Sequence, residues 1–240
     1  VDAKWGSNSR AIPDYNYVTS PAKYYEMWYG ALYNYFMYNS QAANGAYNGD
    51  PDGSYRMAVS NLIDGSMGLG YNVYTVPEGQ YLIGRNGKIN PYATLGSIVN
   101  YNGKSYMLMP DNWNDATYKN GLRQEYTVTA TGNNKNGSFY GSANYLKNEG
   151  ITYGSDFERF SGRLKADYQL RSWIKLSGNF NYAHTNSNYL SNDGSSTDSG
   201  NLFAVRDLAP IYPLYVRDAQ GNIIMNHTTG MPSYDYGDGE

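Results

Sequence analysis

Between Gln124 and His184 the chain alternates apolar and polar residues with a period of two. Tyr126, Val128 and Ala130 fall on one face; Glu125, Thr127, Thr129 and Thr131 fall on the other. The run Gly132-Asn133-Asn134-Lys135-Asn136-Gly137 reads as a turn, after which Phe139, Gly141, Ala143 and Tyr145 oppose Tyr140, Ser142 and Asn144. Phe160, Gly162, Leu164, Ala166 and Tyr168 then oppose Ser161, Arg163, Lys165 and Asp167. Last, Ile174, Leu176, Gly178, Phe180 and Tyr182 oppose Lys175, Ser177, Asn179 and Asn181. Period two sets successive side chains on opposite faces of a strand, so the pattern predicts antiparallel hairpins over 124–185.

A turn at Leu170-Arg171-Ser172 predicts the register of the last two strands. Asp167 then faces Lys175 and Tyr168 faces Ile174. Ala166 pairs with Leu176, Leu164 with Gly178, Gly162 with Phe180 and Phe160 with Tyr182. Each pair keeps to one face. The polar face holds Arg159, Arg163, Lys165, Asp167 and Lys175. The other has small and aliphatic residues in its middle, Tyr168 and Trp173 near the turn, and Phe160 and Tyr182 at the far end. Eight steps of ~3.3 Å, tilted by ~40°, span roughly 20 Å, close to the ~25 Å apolar band of an outer-membrane barrel with its aromatic girdles.

The fold class expected is therefore all-β: an incomplete antiparallel transmembrane β-barrel, with long extracellular loops that contain short helices. Phe160, Leu164, Tyr168, Trp173, Leu176, Phe180 and Tyr182 are expected to face lipid or form girdles. Arg159, Arg163, Lys165, Asp167 and Lys175 are expected to face the lumen. A soluble β-sandwich alternates in the same way, with its apolar face on a core. That alternative would make the chain a carbohydrate-binding or adhesion module.

Outside the hairpins, Val1, Ala3 and Trp5 alternate as the end of a strand, and Ile12 to Thr19 reads as a loop. Ser20-Pro21 reads as an N-cap followed by proline at the first helical position, opening a helix through Met37. Tyr24, Trp28, Leu32 and Tyr35 give its expected packing stripe. The region 39–120 is rich in Gly, Asn and Tyr and reads mainly as one large loop. A helical turn over Tyr55 to Ile63 and hairpins over Tyr71 to Ile83 and Ile98 to Met109 are expected within it. The last of these has Asn102-Gly103 at its tip. Asp111-Asn112-Trp113 precedes a short helix through Tyr118. Asn186 to Gly200 is a polar run, Asn201 to Tyr215 a candidate strand, and Gln220-Gly221-Asn222 a turn before Ile223-Ile224-Met225. Turns at 132–137 and 170–172 are short and so expected to be periplasmic, which makes the connections at 148–156 and beyond Asn186 extracellular.

Composition narrows the chemistry. The 240 residues include 28 Tyr and 27 Gly, and 16% are charged, with a net charge of −3, which gives no electrostatic case for nucleic acid. There is no Cys, so disulfides and thiolate metal sites are excluded. No apolar run reaches the ~18 residues of a spanning helix, as expected for strands that alternate. His184 and His227 are the two histidines and have no zinc spacing. Asp50-Pro51-Asp52-Gly53-Ser54 begins like a calcium loop but has Tyr55 and Asn61 where Gly and Glu belong. No catalytic residue, metal ligand or cofactor is assigned, and the chain is not expected to be an enzyme. Extracellular aromatics are the expected ligand or lid contacts, Tyr74, Tyr81 and Trp113 first, because sugars and peptides stack on flat apolar faces. Both ends look cut, and the chain is expected to be the early part of a larger barrel.

Five blocks resemble a known family: GLRQEY at 121–126, SFYGS at 138–142, YLKNEG at 145–150, SDFER at 155–159 and GRLKADY at 162–168. In order and spacing they resemble the early barrel of SusC/RagA-type TonB-linked outer-membrane transporters. Asp2-Ala3-Lys4-Trp5-Gly6 and Ala209-Pro210-Ile211-Tyr212-Pro213-Leu214-Tyr215 agree with it. The resemblance implies a place in the bacterial outer membrane, in contact with membrane lipid, and import of glycan oligomers or peptides. It further implies a SusD-like surface lipoprotein as lid, and TonB acting through a segment outside this chain.

Overall fold

The computed structural model describes residues 1–11, 16–64, 66–189 and 208–235. The chain divides into two compact units, one of residues 1–14 and 114–206, the other of residues 15–113 and 207–240.

The first unit is a five-stranded antiparallel sheet. Its strands are β1 (Asp2–Asn8), β6 (Gly121–Asn133), β7 (Gly137–Glu149), β8 (Asp156–Arg171) and β9 (Ile174–Asn188), neighbours in that order. β1 pairs with β6 across a long stretch of sequence, with Asn8 opposite Gly121 and Ala3 opposite Tyr126. The other pairs are local hairpins. Between β6 and β7 the Asn134 carboxamide oxygen accepts the amides of Asn136 at 2.9 Å and Gly137 at 2.8 Å, an Asx turn that closes the loop. The turn is shorter than the expected 132–137, because Gly132 and Asn133 still pair with Phe139 and Ser138.

The expected β8–β9 register is corrected by two residues. Tyr168 faces Leu176, Ala166 faces Gly178, Leu164 faces Phe180, Gly162 faces Tyr182 and Phe160 faces His184. The cause lies at the turn: β8 runs on to Arg171, which pairs with Ile174, and the register shifts between Gln169 and Arg171. A shift of two keeps every side chain on its expected face. Asp167 and Lys175 still meet diagonally at 3.6 Å, and the Phe160 and Tyr182 rings lie 6.5 Å apart.

The second unit is built on two helices, α1 (Pro21–Tyr38) and α2 (Pro51–Asn61). The Ser20 hydroxyl caps α1 by accepting the Lys23 amide, and the Asp50 carboxylate caps α2 by accepting the Asp52 amide at 3.1 Å. The stretch resembling the start of a calcium loop is therefore a helix N-terminus. α2 begins four residues before the expected Tyr55 because Asp50-Pro51 is itself a cap-and-start signal. The buried stripe of α1 is Tyr25, Tyr29, Leu32 and Phe36; the expected Trp28 and Tyr35 are exposed and Tyr24 half-buried. Aromatics occupy nearly every face of this helix, so periodicity alone does not select the buried one.

The core of this unit joins Tyr25, Tyr29 and Leu32 to Tyr55, Ala58, Leu62, Val73, Ile83 and Ile211. Its tyrosines are internal because their hydroxyls find backbone partners. Tyr25 donates to the Tyr71 carbonyl at 2.6 Å and accepts the Val73 amide at 3.3 Å; Tyr55 donates to the Ile83 carbonyl at 3.0 Å. Burial pushes the Tyr25 hydroxyl far above its ordinary value, so it stays protonated.

Short strands complete the unit. β2 (Tyr74–Thr75) pairs with β3 (Thr94–Leu95), so the expected hairpin within Tyr71 to Ile83 is replaced by a longer-range pair. β4 (Ser97–Tyr101) and β5 (Lys104–Leu108) form the expected hairpin, with positive φ at Asn102 and Gly103 as a type I′ tip requires. α3 (Trp113–Thr117) follows where a short helix is expected. The Gln220-Gly221-Asn222 turn is present, closed by the Arg217–Ile223 bridge. Of the expected loop over Ile12 to Thr19, residues 16–19 are described and carry no regular structure. The polar run Asn186 to Gly200 lies mostly outside the described residues, with β9 continuing to Asn188. Of the candidate strand Asn201 to Tyr215 the described part, 208–215, is corrected to turns with a single bridge at Tyr215.

Candidate functional site: the two faces of the long sheet

The pairings arrange the five strands into rows that cross the sheet. One face carries, in succession, Trp5-Gln124-Lys147-Glu158-Asn186, then Ala3-Tyr126-Tyr145-Phe160-His184, then Val128-Ala143-Gly162-Tyr182. Ala130-Gly141-Leu164-Phe180 and Gly132-Phe139-Ala166-Gly178 follow, and Tyr168-Leu176 lies beside the turns. A polar row is thus followed by an aromatic row, an aliphatic and small-residue middle, and a second aromatic edge with Phe139, Tyr168 and, on the β8–β9 turn, Trp173.

Among the described residues nothing covers this apolar band. Leu164 is 61% exposed, Phe180 62% and Leu176 55%, and Phe160, Tyr168, Trp173 and Tyr182 are exposed as well. Fully burying each such side chain is worth about 1.5–3 kcal/mol, so leaving the band in water forgoes on the order of 10 kcal/mol. That is comparable with the whole stability of an ordinary domain, and an exposed apolar patch of this size marks an interaction surface. Among the described residues no second sheet packs on it, as a sandwich would need.

The aromatic row nearest the polar row is held by side-chain contacts. Trp5 meets Tyr126 edge-to-face at 5.8 Å and donates from Nε1 to the Tyr126 hydroxyl at 3.2 Å. Tyr126 donates to Gln124, its ring stacks on Tyr145 at 6.5 Å, and the Tyr145 hydroxyl donates to the Glu158 carboxylate. The ring bodies lie on the apolar band while their polar ends bond toward the polar row, so each side chain keeps its apolar body and its polar tip in different surroundings. Sequence periodicity marked Phe160 and Tyr182 at this edge. It missed the Trp5-Tyr126-Tyr145 run, which needs the β1–β6–β7 register to be seen.

The opposite face is polar. Its rows include Glu125-Leu146-Arg159-Thr185, Thr129-Ser142-Arg163-Asn181, Thr131-Tyr140-Lys165-Asn179 and Asn133-Ser138-Asp167-Ser177. Arg159, Arg163, Lys165, Asp167 and Lys175 share it, as expected from alternation. Asp167 accepts the Ser177 hydroxyl at 2.7 Å and Glu125 pairs with Arg123 at 2.8 Å.

The expected ligand contacts divide. Tyr74 is corrected to a core residue: it is 8% exposed, with its ring edge-to-face with Tyr25 at 5.8 Å. Tyr81 is 52% exposed and meets Tyr55 edge-to-face at 6.2 Å. Tyr55 also lies beneath the Arg85 guanidinium at 5.0 Å, which is ion-paired to Asp52. Trp113 is half-buried and donates from Nε1 to the Tyr212 carbonyl at 3.0 Å. The structure does not gather the three into one pocket: Tyr74 is inside and Trp113 is tied to the backbone at Tyr212.

No protein-family model matches the chain, and no curated protein matches it in sequence. Among solved structures the chain is similar to the RagAB peptide importer in its closed-closed state, at 18% identity with a TM-score of 0.50. The similarity covers 97% of this chain and 22% of that one. The open-open state gives 16% identity and a TM-score of 0.49 over the same shares. A structure of the RagAB peptide transporter gives 22% identity over 52% of this chain and 14% of that one, with a TM-score of 0.41. The chain thus spans about a fifth of the length of the importer chain whose fold it shares.

Proposed function

We propose that this chain is the early part of an outer-membrane β-barrel transporter, with the long sheet in the barrel wall. The observation that carries the reading is the two-faced sheet. One face is an apolar band edged by aromatics and covered by nothing among the described residues, while the other is lined with charges and hydroxyls. A barrel wall needs this pairing, with lipid on one side and an aqueous lumen on the other. Among the described residues the outer edges of β1 and β9 are unpaired, which fits the same reading, since long unpaired edges are a liability in water and barrels abolish them.

Fold similarity to the RagAB peptide importer and the resemblance to SusC/RagA-type transporters support import of peptides or glycan oligomers. On this reading a SusD-like surface lipoprotein closes over the barrel and TonB supplies the work. Phe160, Leu164, Tyr168, Trp173, Leu176, Phe180 and Tyr182 face lipid or the interface, and Arg159, Arg163, Lys165, Asp167 and Lys175 face the lumen. The reading assigns no catalysis.

The test uses the full-length protein that carries this chain, with an epitope inserted either at Lys135 or between Tyr153 and Gly154. The expected result is faster gel migration unheated than boiled, with the second epitope reachable on whole cells and the first hidden. A water-soluble product without a heat shift would overturn the proposal. A reachable Lys135 epitope would reverse the assigned orientation.

A further inference from the structure

Resting on the barrel reading, the charges of the polar face do not balance. Asp2, Glu125 and Asp167 are its acids between the turns and the polar row, and each is already engaged. Lys4 holds Asp2 at 3.0 Å, Arg123 holds Glu125 at 2.8 Å and Lys175 holds Asp167 at 3.6 Å. Arg159, Arg163 and Lys165 remain. All three lie on one face of β8, and among the described residues none has a carboxylate oxygen within 4.0 Å.

Their directly paired cross-strand neighbours are Leu146 and Thr185, Ser142 and Asn181, and Tyr140 and Asn179, none of them charged. The nearest acid on the strand, Asp167, is shared by Lys165 with Lys175 and the Ser177 hydroxyl. The Nε of Arg159 is buried and has no hydrogen-bond partner. A carboxylate is the group that the planar fork of a guanidinium fits best.

Spacing narrows the ligand. Arg163 and Lys165 are two residues apart on a strand, roughly 6.6 Å, and Arg159 stands four residues from Arg163, roughly 13 Å. An extended peptide repeats its same-side side chains at the same interval, because its backbone has the same rise. We propose that Arg159, Arg163 and Lys165 form an anion track that selects extended peptides carrying acidic residues at alternate positions. The neighbouring Tyr140, Ser142, Asn179 and Asn181 supply neutral hydrogen bonds to the rest of such a chain.

The experiment measures binding to the purified full-length protein at low and high ionic strength. The probes are a short peptide with glutamate at alternate positions, its glutamine counterpart, and an oligouronate of equal charge. The variant is R163Q/K165Q, whose heat-shifted migration reports that it still folds. The expected result is roughly tenfold tighter binding of the glutamate peptide than of the glutamine one, a difference removed by the variant and by salt. Equal affinity of the two peptides for the native protein, or discrimination that survives in the variant, would overturn the track. Discrimination by these residues of the oligouronate alone would overturn the peptide assignment in favour of an acidic glycan. Loss of the heat shift in the native protein would instead sink the barrel reading on which the track rests.

Discussion

Asp111 and Arg217 meet as a two-pronged ion pair across a hundred residues of sequence. Asp111 Oδ1 lies 2.6 Å from one guanidinium nitrogen and Oδ2 lies 2.9 Å from the other. The same carboxylate accepts the amides of Leu214 at 2.8 Å and Tyr215 at 3.2 Å, so it pins the 208–235 segment to the strand end at Leu108. Replacing it by D111N leaves Arg217 largely buried beside a neutral partner. The expected cost is about 3 kcal/mol, read as a lower urea midpoint of the 15–113 unit and faster proteolysis within it.

The same pair makes a pH prediction. Burial would raise the Asp111 carboxyl, but the Arg217 hydrogen bond, the two amides and the Arg217 charge together outweigh it and hold it below its ordinary value. A depressed carboxyl favours the folded state above its unfolded pKa of ~3.9, and that contribution fades as pH falls through the lower folded value. Between neutral pH and the acid limb, the native protein should lose more stability than D111N, and the two urea midpoints should converge. Parallel curves would show that Asp111 carries no such coupling.

Tyr25→Phe removes one hydroxyl and strands two backbone groups, the Tyr71 carbonyl and the Val73 amide. Leaving buried polar groups unpaired costs about 1–3 kcal/mol, and the Val73 amide should lose hydrogen-exchange protection first.

The two faces of the sheet should respond oppositely to charge. Leu164→Arg on the apolar band is expected to cost about 2–4 kcal/mol and to cut the folded, heat-shifted fraction. Thr131→Lys, on the polar face beside Tyr140, should leave that fraction unchanged. Equal damage from both would mean that the band does not face lipid.

Register can be read chemically. Cysteines at Leu164 and Phe180, directly opposed, should couple through a short bifunctional reagent, whereas cysteines at Leu164 and Leu176 should not. Preferential coupling of Ala166 to Leu176 would restore the register that a turn at Leu170-Arg171-Ser172 predicts.

Alternation in 124–185 revealed which residues share a face, because period two survives any even slip of register. It could not reveal the slip itself: the irregularity at Gln169 and Arg171 is a property of the backbone, and no residue type there demands it. The residue sets of the two faces were legible for the same reason. The Trp5-Tyr126-Tyr145 run was not, since Trp5 and Tyr126 are joined by pairing across more than a hundred residues. Tyr74 was misread as a surface aromatic because tyrosine serves both surfaces and cores, and only the packing against Tyr25 decides. Ser20-Pro21 and Asn102-Gly103, by contrast, act through local backbone chemistry and were placed correctly.

The pairing of Asn8 with Gly121 has a kinetic meaning. The hairpins of β6 to β9 close over turns of a few residues and can nucleate by themselves. β1 can join only after its ends have been brought together across 112 intervening residues. Loop closure costs about 0.6 kcal/mol for each doubling of length, so an unfolded connection would delay that strand by an entropic barrier of several kcal/mol. Folding of the 15–113 unit before β1 docks would shorten the flexible length of that connection. Destabilising its core, for instance at Tyr25, should therefore slow the docking of β1 while leaving the rate of hairpin formation in β6 to β9 untouched.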